Sequence, residues 1–255
     1  MTSAGPRVLV TNDDGIHAAS LECLAREAGR VLGPVTVIAP DRERSGVAHG
    51  LTIRQPLRAM RVGPASWAVE GTPTDCVNLA FLGLLDAPPQ LVLSGINGGY
   101  NLGEDLTYSG TVAAAMEGRL FGVPSVAVSC ASGVGREVLE RAAAIACRLA
   151  RAMLEMETPA DLFLNVNVPA EPRGLRITRQ GRRRCRQGLI RRKDPKGEEI
   201  FWLTLAGARW EDDERADHHA VAEGLVSVTP LHADLTFRGA YESLVPWESE
   251  REILG

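Results

Sequence analysis

A chain of 255 residues with 45% hydrophobic and 24% charged residues is globular and long enough for one large domain with an appendage. Its net charge of -4 gives no general attraction to nucleic acid or to an anionic membrane, which leaves a small molecule as the expected partner. Aromatics are only 5%, so the core has to be built from Val, Leu and Ala.

The first element, Val8-Leu9-Val10, is apolar without polar alternation and predicts a strand buried on both faces, as in a parallel sheet covered by helices. It runs into Asn12-Asp13-Asp14-Gly15. In open α/β sheets the ligand crevice lies beyond the carboxyl ends of the strands, so the two carboxylates belong at its floor. Side by side they repel, and either one takes a proton or a cation settles between them. Capping of the next helix is the plainer use of a single Asp there.

Ala18 to Gly29 carries apolar residues at helical spacing, with Gly29 or Gly33 as its stop. Val35 to Ala39 predicts a second buried strand, and Pro40 to Gly46 a polar loop at the same edge that brings Ser45 toward the Asp pair. Leu51 to Val69 alternates and predicts an antiparallel excursion. Thr72 and Pro73 mark the N-cap and first position of a helix that continues through Cys76 to Leu85. Leu91-Val92-Leu93 predicts the third strand, ending in a loop, Ser94 to Gly103, whose glycines bring backbone close to a ligand. Tyr108-Ser109-Gly110-Thr111 opens a helix to Leu120. Ser125 to Ser129 is a fourth strand, Gly135 to Glu155 a long helix, and Leu162 to Val168 a fifth strand.

After Pro169 the character changes. Glu171 to Arg209 predicts an extension, with Phe201 to Leu205 as a strand, and Leu225 to Thr229 is a further strand before Pro230. The predicted organisation is an α/β body over residues 1–170, followed by 171–255 as an oligomerisation arm with closing strands and a helix packing back on the body. The fold class is α/β, a Rossmann-like parallel sheet with helices on both faces and a C-terminal extended arm.

Asp13, Asp14, Ser45 and Asn97 bring carboxylate, hydroxyl and amide oxygens from successive strand ends, the donor set of a hard divalent cation such as Mg²⁺ or Mn²⁺. Ser109-Gly110-Thr111 offers N–H groups, hydroxyls and the positive end of a helix, which suits an anion. A cation and an anion cradle in one crevice point to phosphate. Taken singly, Asn97 is equally well a turn residue and Ser109 an ordinary N-cap. The five cysteines show no Cys-x-x-Cys pair and no zinc spacing, and most read as small buried hydrophobes of a reducing compartment. No apolar run of about 18 residues and no apolar leader is present, so a cytoplasmic protein with no membrane partner is expected. His17, His49 and the pair His218-His219 read as solvent-exposed. The basic run Arg182-Arg183-Arg184-Cys185-Arg186 with Arg191-Arg192-Lys193 lacks stacking aromatics nearby and reads as a solvated arm, not a nucleic-acid binder.

Five ordered motifs carry a resemblance: Asn12-Asp13-Asp14-Gly15-Ile16, Ala39 to Gly46, Gly71 to Val77, Ser94 to Gly99, and Tyr108-Ser109-Gly110-Thr111-Val112. Together with Gly224 to Leu231 they resemble the SurE survival-protein family of 5'/3'-nucleotidases, over nearly the whole chain. The resemblance implies a 5'-nucleotidase that hydrolyses nucleoside monophosphates to nucleoside and phosphate, with 3'-nucleotidase and exopolyphosphatase activities beside it. It implies one divalent cation per subunit, Mg²⁺ or Mn²⁺, on Asp13, Asp14, Ser45 and Asn97. Asp13 and Asn12 are then the expected catalytic residues, and Asn97, Gly98, Gly99, Ser109, Gly110 and Thr111 the phosphate-binding ones. A homodimer or homotetramer with an exchanged C-terminal arm is implied as well. The alternative is a non-catalytic nucleotide- or phosphate-sensing module on the same loops. One departure stands out: Ala18-Ala19-Ser20 follows His17 where the family shows a small residue and then Pro-Gly, which changes the helix entry but no expected ligand.

Overall fold

The computed structural model describes residues 5–156, 161–184, 188–204 and 209–249. Cys185, Arg186 and Leu205, which figured in the sequence reading, lie outside them.

In chain order the elements begin with β1 (Val8–Thr11), α1 (Ala19–Val31), β2 (Val35–Pro40), β3 (Ala59–Gly63), β4 (Ser66–Val69) and α2 (Pro73–Leu79). They continue with β5 (Leu91–Gly98), α3 (Gly110–Leu120), β6 (Ser125–Cys130), α4 (Arg136–Glu155) and β7 (Phe163–Val168). Then follow β8 (Gly174–Ile177), β9 (Arg183–Arg184), β10 (Gly188–Lys193), β11 (Glu199–Thr204), β12 (Arg209–Trp210), α5 (Asp217–Ala222), β13 (Leu225–Leu231) and α6 (Arg238–Leu244).

Nine strands form one sheet in the order β3-β4-β2-β1-β5-β6-β7-β13-β8. β2, β1, β5, β6 and β7 are parallel throughout. With β4, which pairs parallel with β2, these six strands lie in the order 3-2-1-4-5-6 when numbered along the chain, that of a doubly wound Rossmann-like sheet, and the order reverses between β1 and β5. The crevice therefore opens past the carboxyl ends of those two strands, where Asp13 and Asn97 follow.

The unbroken apolar run in β1 is explained by cover on both faces. Val8 and Val10 pack with Leu21, Leu24 and Ala28 of α1 and Ala146 and Ala150 of α4, whereas Leu9 packs on the other face with Cys76 and Val77 of α2 and Ala114 of α3. Cys23, Cys76, Cys130 and Cys147 are buried free thiols. Among the described residues no helix is long and apolar enough to cross a membrane.

Several boundaries differ from the sequence reading. α1 runs through Gly29 to Val31, because the helix packs its whole length on the sheet and a single interior glycine is tolerated. It starts at Ala19 with no side-chain cap at Ala18, the outcome of the Ala18-Ala19-Ser20 departure. The predicted Cys76–Leu85 helix stays α-helical only to Leu79; a wider turn over Ala80–Leu84 follows, broken at Gly83 with φ 139°. β5 continues through the expected loop to Gly98, with a bulge between Gly95 and Asn97 that re-aims the Asn97 side chain. β13 runs through Pro230 to Leu231, since β8 pairs only with Leu225–Val228 and leaves the proline on an open side of the ladder.

The closing strands beyond residue 170 enter the central sheet itself. β13 lies antiparallel beside β7 and parallel to β8, so both strands belong to the central sheet. Within the predicted 171–209 extension, β10 and β11 stand as a separate antiparallel hairpin, with Ile190 opposite Trp202 and Leu189 opposite Leu203, and β9 pairs antiparallel with β12.

Candidate active site

The turn after β1 is closed by Asn12. Its Oδ1 accepts the Gly15 N–H and its Nδ2 donates to the Gly15 carbonyl, both at 3.1 Å, and the side chain is fully buried. Asn12, expected beside Asp13 in the chemistry, is thus spent on shaping the turn. Gly15 has φ +102°, and a Cβ there would meet the Arg42 backbone at 3.1 Å, so glycine is needed for the chain to pass.

Asp13 is buried, and the Thr111 hydroxyl donates to its Oδ1 at 2.5 Å. The N-terminus of α3 comes so close that a Cβ on Gly110 would lie 3.0 Å from the Asp13 Cβ, which is why a glycine sits there. Burial raises the Asp13 pKa, and the Thr111 hydroxyl and N–H pull it partly back. Asp14 is raised to about 6, first by burial, then by the charges of Asp13 and Glu43, with the Ser20 hydroxyl offsetting part. The leading influences on the pair are burial, the Glu43 carboxylate and hydrogen-bond donors.

Ser45 lies on the β2 edge loop. The Arg44 N–H donates to the Asp13 carbonyl at 2.7 Å, and the Ser45 hydroxyl donates to Glu43 Oε1 at 2.9 Å. Glu43, not singled out in the sequence, is the third acidic group near the pair. Asn97 donates its Nδ2 to the Gly99 carbonyl at 2.7 Å, which leaves its Oδ1 as the atom available to a ligand. Ser109 is the N-cap of α3, its hydroxyl accepting the Val112 N–H at 3.1 Å. Its cap role and its place in the cavity coexist.

Asp13, Ser45, Asn97 and Ser109 line one cavity of about 620 Å³, together with Tyr100, Asn101, Asp105, Tyr108 and Leu203. The structure therefore brings together the residues that sequence placed on separate strand ends. The remaining wall was missed. Tyr108 opens one of the quoted motifs and Tyr100 follows another, but nothing in their local pattern distinguishes a cavity tyrosine from a surface one. Leu203 comes from β11, about a hundred residues from Asn101, and carries no local signal at all.

Asn101 is held by a buried polar clamp. Asn167 accepts the Asn101 N–H at 2.9 Å and donates to its carbonyl at 3.0 Å; Asn165 donates to the same carbonyl at 2.9 Å, and the Asn101 Nδ2 donates to Ser129 at 2.9 Å. Asn165 and Asn167 alternate along β7, so both face one side of the sheet. A second clamp holds the turn after Leu102. Buried Asp217 accepts N–H groups from Gly103, Gly181 and its own neighbour His218 at 2.7–3.0 Å. His218 stacks on Trp210 with ring centroids 4.3 Å apart, and the Arg183 guanidinium lies over the Trp210 ring, ion-paired with Asp105. His218 is packed, not solvated as its polar neighbourhood suggested. His17 is exposed, while His49 meets Glu117.

Among the described residues no group of three or more His, Cys, Asp or Glu side chains is arranged to hold a metal. The candidate set fits a hard cation on other grounds: Asp13, Ser45 and Asn97 bring a carboxylate, a hydroxyl and an amide oxygen to one cavity, and next to Asp13 in the chain, though not on that wall, Asp14 adds a carboxylate that burial and the Asp13 charge keep from ionising freely.

Comparison with known proteins agrees with the geometry. The family described as "Survival protein SurE" matches residues 8–187. The chain is 49% identical over 242 residues to a protein named 5'-nucleotidase SurE from Syntrophotalea carbinolica, covering 94% of this chain and 96% of that one. It is 48% identical over 246 residues to the protein of the same name from Geotalea daltonii, covering 95% and 99%. The crystal structure of a SurE protein from Aquifex aeolicus superimposes with TM-score 0.83 at 42% identity, covering 96% of this chain and all of that one.

Proposed function

The chain belongs to the SurE survival-protein family, and from that premise we infer that it is a 5'-nucleotidase, a hydrolase that cleaves the phosphate monoester of a nucleoside monophosphate. The observation that carries this reading is the shape of one cavity. Its polar end holds Asp13, Ser45, Asn97 and Ser109, and the rest of its wall includes Tyr100, Tyr108 and Leu203, apolar surface that a free phosphate does not need and a nucleoside does.

In this reading Asp13, Asp14, Ser45 and Asn97 hold one divalent cation, Mg²⁺ or Mn²⁺. Bound there, such an ion polarises the phosphoryl oxygens and lowers the pKa of a coordinated water. Asp13 orients the attacking water and takes its proton, with Asn12 setting the turn that aims it. Burial raises its proton affinity above that of an ordinary carboxylate, the direction a proton acceptor needs. Asn97, Gly98, Gly99, Ser109, Gly110 and Thr111 form the phosphate cradle, with backbone N–H groups at the α3 end directed at the anion. Tyr100 and Tyr108 receive the nucleoside. Activity on 3'-nucleotides and short polyphosphate belongs to the same proposal, since both present a terminal phosphate to the same cradle. The buried free thiols support a cytoplasmic setting.

The deciding experiment is phosphate release from AMP or GMP by the purified protein with and without Mn²⁺. Turnover only with the ion supports the enzyme; binding of AMP with no release under either condition would point to a sensing module.

Thr111→Val keeps the side-chain shape and removes the donor to Asp13 Oδ1. Loss of a charge-assisted hydrogen bond to the reacting carboxylate is expected to lower kcat/KM roughly tenfold or more. Steady-state AMP hydrolysis, with circular dichroism as a check on the fold, measures it.

A homodimer or homotetramer is part of the proposal. Trp202 and Leu203 on the hairpin and Phe237 and Trp247 near the C-terminus are all more than half exposed, an apolar surface that a second copy would cover. Deleting residues 182–205 behind a short Gly-Ser bridge is expected to lower the mass seen by light scattering toward that of a monomer. An unchanged mass with loss of salt-sensitive polyphosphate or RNA binding would assign the arm to electrostatics instead.

A further inference from the structure

Ser45 contributes the most weakly placed of the four proposed ligands. It is a neutral hydroxyl on an exposed loop, so its usefulness depends on how firmly that loop is held. The loop is tied on both sides. Before Ser45, the Arg44 N–H donates to the Asp13 carbonyl at 2.7 Å. After it, the Ala48 N–H donates to the Tyr108 carbonyl at 3.2 Å, and the Thr72 hydroxyl donates to the Gly50 carbonyl at 2.7 Å. Between these ties Ala48 has φ +53°, a left-handed conformation that a residue with a side chain adopts only where its surroundings impose it.

His49 sits next to that residue. Its Nε2 lies 2.6 Å from Glu117 Oε2, and a carboxylate only accepts, so Nε2 carries the proton in this contact. Glu117 is itself fixed, since Asn78 of α2 donates to its other oxygen at 2.7 Å. Glu117 lies on α3, the helix whose Thr111 holds Asp13. One helix therefore grips Asp13 at its first turn and the Ser45 loop less than two turns further on, and sets the distance between the two ligands.

We propose that His49 is a positioning residue that holds Ser45 in place for the divalent cation through its hydrogen bond to Glu117. The inference rests on the ligand set proposed above. It concerns cation affinity, not the chemical step, because His49 is absent from the cavity wall.

The test is Mn²⁺ binding to the full-length protein by titration calorimetry without nucleotide, joined to the Mn²⁺ dependence of AMP hydrolysis. His49→Ala is expected to raise the Mn²⁺ Kd roughly 3- to 10-fold, the range of one ordinary intramolecular hydrogen bond, with kcat at saturating Mn²⁺ within about twofold of wild type. His49→Gln, whose amide N–H still reaches a carboxylate, is expected to restore most of the affinity. In a Ser45→Ala background, His49→Ala is expected to add nothing further. An unchanged Kd in His49→Ala would overturn the inference, as would equal weakening in His49→Gln or an additive loss on top of Ser45→Ala. If Ser45→Ala alone leaves the Kd unchanged, the ligand set is wrong and this inference falls with it; if Ser45→Ala weakens binding and His49→Ala does not, only this inference falls.

Discussion

Asp13→Asn removes nearly all metal-dependent phosphate release, by roughly 10²–10⁴-fold in kcat, the range expected when a proton acceptor is lost from the reacting site, and leaves the protein folded. The side chain keeps its shape, and its amide oxygen still accepts the Thr111 hydroxyl. What disappears is the negative charge that attracts the cation and the basic oxygen that takes the proton from water. Without metal the variant is expected to be at least as stable as wild type, because a buried carboxylate beside a second one is costly to ionise. Near-wild-type turnover at saturating Mn²⁺ would remove Asp13 from the chemistry.

The sign of the accompanying pH dependence follows from Asp14. Its folded pKa of about 6 lies above its ordinary 3.8, so its contribution to stability is fully present below 3.8 and is lost as pH rises through about 6. In chelator, the melting temperature of wild type relative to Asp14→Asn should therefore fall between pH 4 and pH 7. Saturating Mn²⁺ should reverse that fall, since the cation replaces the proton. A difference that is flat across the window would mean that the two carboxylates do not burden the metal-free fold.

Asn167→Leu is expected to destabilise the protein by about 2–4 kcal/mol, which for a chain of this size lowers the melting temperature by roughly 5–12 °C. Leucine is close to asparagine in size, so packing is not the main loss. The Asn101 N–H loses its acceptor in a buried place, while the Asn101 carbonyl keeps the bond from Asn165. An unsatisfied buried N–H carries the full desolvation penalty, which a new apolar contact offsets only in part. Because Asn101 lines the cavity, KM for AMP should rise as well. A variant as stable as wild type, with unchanged KM, would show that water or a shifted backbone replaces the clamp.

Sequence by itself determined the winding and the polar end of the site. An apolar run such as Val8-Leu9-Val10 has one comfortable place, a strand covered on both faces. Chemistry at the carboxyl ends of such strands is confined to the short segments that follow them, so Asp13, Ser45, Asn97 and Ser109 were legible as members of one crevice before any coordinates. The N-cap at Thr72 was equally local, and the structure completes it as a capping box with Asp75. Only the tertiary structure decided the rest. Asn12 turned inward because a buried amide satisfies both of its halves on Gly15. The Thr111 hydroxyl went to Asp13 because α3 abuts the β1 turn, a contact between residues 98 positions apart. Leu203, the Asn165–Asn167 clamp and the His49–Glu117 tie join segments whose separation along the chain carries no pattern of its own. Periodicity and turn chemistry report on neighbours in sequence, whereas burial and long-range hydrogen bonds depend on which surfaces meet after the sheet has closed.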